Sequence, residues 1–166
     1  GVAVLSVVLA GCIFANIANY VSWQVRSVKD HSIIRNLQQM QSGRNISVFW
    51  VDDQFPAGPL PAYKYYEWSS IFFLAWGGES HIGLDTYSYD PGFLLDMKHE
   101  FHTVNNLSTL NPDGPQADLT VARSDDGAIS DVDLVLTYTY NRFFDPPALD
   151  KLLASLTTVQ ITPFGH

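Results

Sequence analysis

Two histidines near the middle of the chain are of a residue type that binds metals. His99 and His102 flank Glu100 and Phe101, and Asp96 lies three residues before His99. Zinc-binding helices place two histidines four residues apart, so that both face the metal from one side of the helix. The two histidines here are three residues apart, and on a strand their side chains point to opposite faces. We therefore expect exposed polar residues rather than a metal site.

A second group of candidate metal ligands consists of Asp125, Asp126, Asp131 and Asp133. Calcium-binding loops supply carboxylates at alternate positions and close with a bidentate glutamate. The spacing of these four acids does not match that pattern, so we expect residues of a turn. The sequence predicts neither a metal ion nor a cofactor.

Motifs of the common enzyme classes are missing from the sequence. It contains no Gly-x-Ser-x-Gly elbow, no phosphate-binding loop and no dinucleotide fingerprint. The single cysteine, Cys12, lies within an apolar run, where a thiol is buried and unreactive. We therefore expect a protein that is not an enzyme and has no disulfide within the chain.

Charge is distributed unevenly along the 166 residues. Residues 1–25 have no charged side chain, whereas residues 45–166 have five basic and sixteen acidic ones, a balance of −11. Nucleic-acid binding needs clustered lysine and arginine, so this acidic body excludes nucleic acid as a partner. The excess of acid is typical of a soluble domain that stays dispersed through self-repulsion.

The first 22 residues predict a membrane-type helix. They read GVAVLSVVLAGCIFANIANYVS, and about 20 apolar residues are enough to span a bilayer. Tyr20 and Trp23 follow the run, as interfacial aromatic residues do. A secretory signal peptide and a buried core helix are less favoured alternatives, because the run is long and lacks a basic start. A chain beginning with the run itself is expected where a leader has been removed.

The same helix is expected to continue beyond the apolar run. Residues 23–41 contain neither glycine nor proline. Val25, Val28, Ile33, Leu37 and Met40 form one apolar face, which needs a partner in the domain that follows. Gly43 is the predicted end of the helix.

The remainder, residues 44–166, predicts an acidic, β-rich head. Residues 46–51 indicate a strand, and residues 70–76 indicate a strand or a short helix. The second half of residues 94–105 favours a strand, because polar and apolar residues alternate there. A hairpin is expected from two strands, at 118–123 and 128–140, with Asp126-Gly127 in the turn. Asp145 is expected to cap a helix that ends near Leu156, and residues 157–162 predict a last strand.

Two triplets, Asn45-Ile46-Ser47 and Asn106-Leu107-Ser108, match the acceptor pattern for N-glycosylation. Asn45 and Asn106 are thus candidate glycan sites on a head that lies outside the cytoplasm.

This layout resembles type IV pilins and the related archaeal pilins and archaellins. The resemblance covers residues 1–43 and the general plan of an apolar helix followed by a globular head. It implies an α+β, lollipop-shaped protein with a mostly antiparallel head. It also implies a helix that is held in the membrane before assembly and then packs in the core of a cell-surface filament.

In this hypothesis the functional residues are those that pack the helices of the filament together. The partner is a second copy of the chain, bound through residues 1–43, and the protein is a structural subunit of an extracellular filament. An unpaired buried charge is costly, so Leu9→Asp is expected to abolish assembly. The predicted assembly residues are Val2, Val4, Leu5, Val7, Val8, Leu9, Ile13, Phe14 and Ile17.

The alternative is a single-pass membrane protein that serves as an accessory subunit of a larger membrane complex. It requires only residues 1–25 as a span. Arg26 and Lys29 directly follow that span, and the positive-inside tendency then favours a cytoplasmic or matrix-side head. This alternative predicts that the chain copurifies with different membrane subunits.

Overall fold

The computed structural model describes residues 2–55 and 58–164, without the side chains of Val2 and Asn105. Within these residues the chain forms helices around a four-stranded sheet, which confirms the α+β class and the long N-terminal helix. Short 3₁₀ turns lie at Gln41–Asn45, Phe101–Thr103 and Asn105–Leu107. The helices and strands are α1 (Val2–Gln39), β1 (Val48–Gln54), α2 (Tyr65–Trp76), β2 (Ile82–Asp85), α3 (Pro91–Met97), β3 (Gln116–Arg123), α4 (Asp131–Phe144), α5 (Pro146–Leu156) and β4 (Thr157–Pro163).

The sheet is mixed, so the prediction of a mostly antiparallel head was wrong. Its strand order is β2-β1-β3-β4, in which β1 is parallel to both β2 and β3, and only β4 is antiparallel. Parallel neighbours need a crossover, and α2 supplies the one between β1 and β2. Because helices or turns cover both faces of β1, residues 48–51 are all buried, as is typical of parallel strands.

The predicted hairpin at 118–140 is half wrong. Its first strand is β3, and the turn is present, with positive φ at Asp126 (50°) and Gly127 (81°). The second predicted strand is instead helix α4, which Ser130 caps by accepting a hydrogen bond from the backbone of Asp133. The alternation of Leu134, Leu136, Tyr138 and Tyr140 with β-branched residues suggested a strand, but Leu134 and Tyr138 are also one helical turn apart, and both are buried.

The remaining local predictions were also partly right and partly wrong. Residues 70–76 form the C-terminal part of α2, and the strand favoured within 94–105 is replaced by the end of α3 and 3₁₀ turns. The last helix and strand are confirmed as α5 and β4. Asp145 caps α5 as expected, since its Oδ1 accepts from the backbone nitrogen of Ala148 at 3.1 Å.

The second half of α1 belongs to the core of the head. Val25, Val28, Ile33 and Leu37 are fully buried, which confirms four of the five residues of the predicted apolar face. Met40, the fifth, lies one residue beyond the helix and is partly buried. The helix ends at Gln39 rather than at Gly43, which lies in the following 3₁₀ turn. Gly43 is required there by packing, because a Cβ at this position would lie 2.4 Å from the Trp76 ring.

The head buries one face of the sheet against α1 and α2. Phe49, Leu119 and Val159 of the sheet pack against Ile33 and Trp68 of these helices. Contact is so close at β2 that a Cβ on Gly83 would lie 2.5 Å from the Trp68 Cβ. On the opposite face, α3 and the 3₁₀ turns cover only the β2–β1 half, where Ile82 and Leu84 are buried.

Candidate functional site

The N-terminal part of α1 projects from the head as an exposed apolar helix. Every residue from 3 to 20 is exposed, and the first partly buried position is Val21. Gly11 has no neighbouring atom within 4 Å of the place a Cβ would take. We call residues 2–20 the free apolar segment.

Eight of the nine predicted assembly residues are exposed in this segment, and the side chain of the ninth, Val2, lies outside the described residues. Their exposed fractions run from 53% to 75%, which is unusual for large apolar side chains in a soluble domain. The eight are Val4, Leu5, Val7, Val8, Leu9, Ile13, Phe14 and Ile17.

The length of the free apolar segment matches that of a membrane span. At 1.5 Å per residue, residues 2–20 extend about 28 Å. The hydrocarbon core of a bilayer is roughly 30 Å thick. Among the described helices, α1 is the one long and apolar enough to cross a membrane, a test that a signal sequence also meets.

A buried ion pair joins α1 to the sheet directly after this segment. Lys29 is 1% exposed, and its Nζ donates to both carboxylate oxygens of Asp53, at 2.7 and 2.5 Å. A third bond goes to the carbonyl oxygen of Phe55 at 2.5 Å. All three protons of the ammonium group are therefore used inside the head.

A second set of polar contacts lies beside the first. Arg26 donates to Glu67 at 2.8 Å and to the carbonyl oxygen of Pro61 at 3.0 Å, and its guanidinium lies 3.9 Å from the centre of the Tyr63 ring. The Tyr63 hydroxyl donates to Asp30. Burial, together with the neighbouring carboxylate of Asp30, raises the pKa of that hydroxyl, so it stays a donor.

Neither Arg26 nor Lys29 is therefore a free cation flanking a span, as the sequence suggested. The helical spacing could have revealed their burial. Positions 22, 25, 26, 29, 32 and 33 share one side of α1, so Arg26 and Lys29 lie within the apolar face rather than opposite to it.

Helix α4 has a second exposed apolar surface, which the sequence analysis missed because it assigned this segment to a strand. Five of its side chains are 52–74% exposed, and they lie at four successive turns of the helix, the last turn holding two of them. Because α4 buries its other side against α1 and α5, this surface points away from the head. We call it the α4 stripe, and it consists of Val132, Leu136, Tyr140, Phe143 and Phe144.

The histidines considered as metal ligands are both exposed. His99 lies in a turn after α3, while Nδ1 of His102 lies 3.1 Å from the carbonyl oxygen of Ser108. Within residues 2–55 and 58–164, no three His, Cys, Asp or Glu side chains are grouped so that they could hold a metal ion.

Two of the acids near the β3–α4 turn share a cation instead. Arg123 donates to Asp125 at 2.5 Å and to Asp131 at 3.0 Å. The hydrogen bond from Arg123 lowers the pKa of Asp125. Asp133 accepts from the Ser130 hydroxyl at the start of α4, and Asp126 is exposed in the turn.

The two candidate glycan sites differ in accessibility. Asn45 is exposed at the end of a 3₁₀ turn. Asn106 is half-buried, and its Nδ2, the atom that would carry a glycan, donates to the Ser70 hydroxyl at 3.0 Å. Asn45 is therefore the more accessible of the two predicted sites.

No protein family model, curated protein or solved structure matches this chain.

Proposed function

We propose that the chain is a single-pass membrane-anchored subunit of a protein assembly, with the free apolar segment in the bilayer. The observation that carries this proposal is the uninterrupted exposure of residues 3–20 on a helix of span length. A helix that is apolar on all sides must be buried in lipid or in other helices. The head itself offers no cover, because its contacts with α1 begin only at Val21.

The contacts of Lys29 and Arg26 support a rigid anchor. The span and the head share one continuous helix, and these polar contacts fix that helix to β1, to the residues before α2 and to α2 itself. A head held this way keeps a constant orientation toward the membrane, unlike a head on a flexible linker.

The α4 stripe supports the assignment as a subunit. Its five side chains expose on the order of 600 Å² of apolar surface, judged from the areas such side chains bury. Patches of this size on soluble domains commonly mark interaction sites. We assign the stripe to contact with another protein held in the same membrane, since a standard interface buries roughly 800 Å² per partner.

Three leucines of similar exposure provide a matched test. Leu9 in the free segment, Leu136 in the α4 stripe and Leu95 in α3 are 60%, 62% and 66% exposed. Each is changed to aspartate in the full chain, which is then expressed in its own host. Membrane attachment is measured by alkaline carbonate extraction, and partners are measured by copurification in mild detergent.

The proposal predicts three different results. Leu9→Asp lowers the amount in the carbonate-resistant pellet, because a charge at the centre of a span costs roughly 3 kcal/mol. Leu136→Asp leaves attachment intact and reduces the recovery of partners, while Leu95→Asp changes neither. Equal membrane attachment of all three variants would contradict the anchor, and unchanged copurification of Leu136→Asp would contradict the role of the stripe.

A filament subunit is the second candidate, and the small residues of the free segment favour it. Ala10, Gly11, Ala15 and Ala18 allow another helix to approach closely, and the space around Gly11 is open. Copies packed through this segment would bury it without lipid. The mixed sheet differs from the antiparallel head that the pilin resemblance implied, so we place this candidate second.

Electron microscopy of sheared, detergent-free surface material, combined with mass spectrometry, separates the two candidates. Thin filaments composed mainly of this chain, and lost in Leu9→Asp, would support the filament. Recovery only in detergent, beside different proteins, would support the anchored subunit.

A further inference from the structure

Half of one sheet face is left uncovered, and it has a polar surface. On this face α3 and the 3₁₀ turns cover β2 and part of β1, but not β3 and β4. Along β3 the core-side residues are buried, while Asp118 and Thr120 on the other side are only half-buried. The register places Asp118 between Trp50 of β1 and Thr162 of β4.

A cavity of about 320 Å³ lies at the border between the covered and uncovered halves. Aromatic rings of Trp50, Tyr89 and Phe164 line it, with Asp118 and Asp90 as its charged groups. The described residues that line it include no lysine, arginine or histidine. The cavity is thus aromatic and acidic at the same time.

The Trp50 ring has a fixed orientation in this cavity. Its Nε1 donates to the side-chain oxygen of Gln116 at 2.9 Å, and Trp50 as a residue is 6% exposed. The ring of Phe164 stacks on it, with a centroid distance of 6.0 Å and an interplanar angle of 25°. A bound group would therefore meet a preformed aromatic wall.

Asp118 differs from the other acids of the head. Among the described residues its carboxylate has neither a hydrogen-bond donor nor a cation within ion-pair distance, although it is half-buried on a central strand. Every other acidic side chain that the described structure buries at least in part accepts a bond from a nearby donor. Those acids are Asp30, Asp52, Asp53, Glu67, Asp85, Asp125 and Asp131.

We propose that this cavity binds an alkylammonium group, with Asp118 as its counter-ion and the rings of Trp50 and Tyr89 as its walls. A half-buried carboxylate without a partner gains most from a cationic ligand. Aromatic faces attract the same ligand through cation–π contacts, and they favour methylated ammonium groups in particular. The volume lies at the lower end of ligand pockets, which suits a small cation or the end of a side chain.

Tetramethylammonium is the probe that tests this site in the full chain. The protein is held in maltoside micelles, and the indole Nε1 resonance of Trp50 is followed by NMR during the titration. tert-Butanol, which has a similar shape and no charge, is the matched control ligand. Saturable shifts with tetramethylammonium and none with tert-butanol are expected.

Two variants separate the charge of the site from its shape. Asp118→Asn keeps the size of the side chain, and we expect it to weaken tetramethylammonium binding at least tenfold. Asp113→Asn removes an exposed carboxylate that pairs with Lys98 outside the cavity, so binding is expected to stay unchanged. Equal affinity of Asp118→Asn and the original chain, or equal shifts with both ligands, would overturn the proposal.

A competition experiment identifies the source of the alkylammonium group. A short peptide with one trimethyllysine that binds at least tenfold tighter than tetramethylammonium would indicate the lysine side chain of a protein. Comparable affinity for the two would indicate a free small cation. In both cases Asp118→Asn should weaken binding of the ligand at least tenfold. If neither ligand shifts the Trp50 resonance, the proposed site does not exist.

Discussion

Replacing Lys29 with methionine tests how firmly the anchor helix is fixed to the head. The substitution preserves the aliphatic length of the side chain but removes the ammonium group that bonds Asp53 and the Phe55 carbonyl. Lys29 is 1% and the Asp53 side chain 12% exposed, so water cannot readily replace the lost partner. Removing one partner of such a buried pair costs about 3–5 kcal/mol. That is a large share of the roughly 5–15 kcal/mol that stabilises a typical domain.

The pair between Lys98 and Asp113 is a close control. Its N–O distance is 2.6 Å, against 2.5 Å for Lys29 and Asp53, but its side chains are 38% and 66% exposed. An exposed pair contributes about 0–1 kcal/mol, so Lys98→Met should leave stability nearly unchanged. The two ion pairs thus differ mainly in burial, so a difference in the stability lost by the two variants reports on burial.

Urea unfolding of the full chain in maltoside micelles, followed by near-UV circular dichroism, measures both variants. Adding Asp53→Leu to Lys29→Met should recover part of the loss, because no buried charge is then left unpaired. If Lys29→Met proves too unstable to purify, Asp53→Asn tests the same pair with a smaller change. A loss for Lys29→Met within 1 kcal/mol of that for Lys98→Met would refute the argument, because the buried pair should differ from the exposed one by more than about 2 kcal/mol.

Three further predictions concern the head. Gly83→Ala should lower the free energy of unfolding by about 1–3 kcal/mol, because its Cβ would overlap the Trp68 side chain, whereas Gly11→Ala, at an uncrowded helical position without positive φ, should not lower it. Asp145→Ala should cost about 0.5–2 kcal/mol in the same assay through loss of the cap on α5, and no change would contradict the capping bond. Burial lowers the pKa of His81, so the unfolded chain binds its proton first as the pH falls below about 6.5. Stability should therefore decrease from that pH downward to the folded-state pKa, and His81→Asn should flatten this part of the profile; an identical profile would show that His81 is not the group responsible.

Local patterns correctly predicted those elements whose signals lie within a few residues. The apolar run of α1, the Asp145 cap with its following prolines and the β-branched last strand each have such a signal. The turn at Asp126-Gly127 was also correct, because positive φ favours these residue types. What that turn connects could not be predicted, since a strand or a helix can follow it.

The mixed sheet and the polar contacts depend on residues far apart in sequence. A parallel pairing of β1 with β2 and β3 is set by crossovers that no local pattern specifies. Lys29 meets Asp53 only because α1 crosses the end of β1, although its place within the apolar face of α1 was visible in the sequence. Asp118 and Trp50 are also far apart in sequence, and only the pairing of β1 with β3 places them side by side.

The single cysteine of the chain allows the most direct test of the membrane anchor. Cys12 lies inside the free apolar segment and is exposed in the isolated chain. A control cysteine at Gln38, exposed near the end of α1, is introduced by Gln38→Cys in a Cys12→Ala background. Vesicles that are open to both sides are treated with a water-soluble maleimide, and labelling is then repeated after denaturation in SDS. The anchor predicts that Cys12 reacts only after denaturation, whereas the cysteine at position 38 reacts in both conditions. Equal rates for the two cysteines in intact membranes would contradict it.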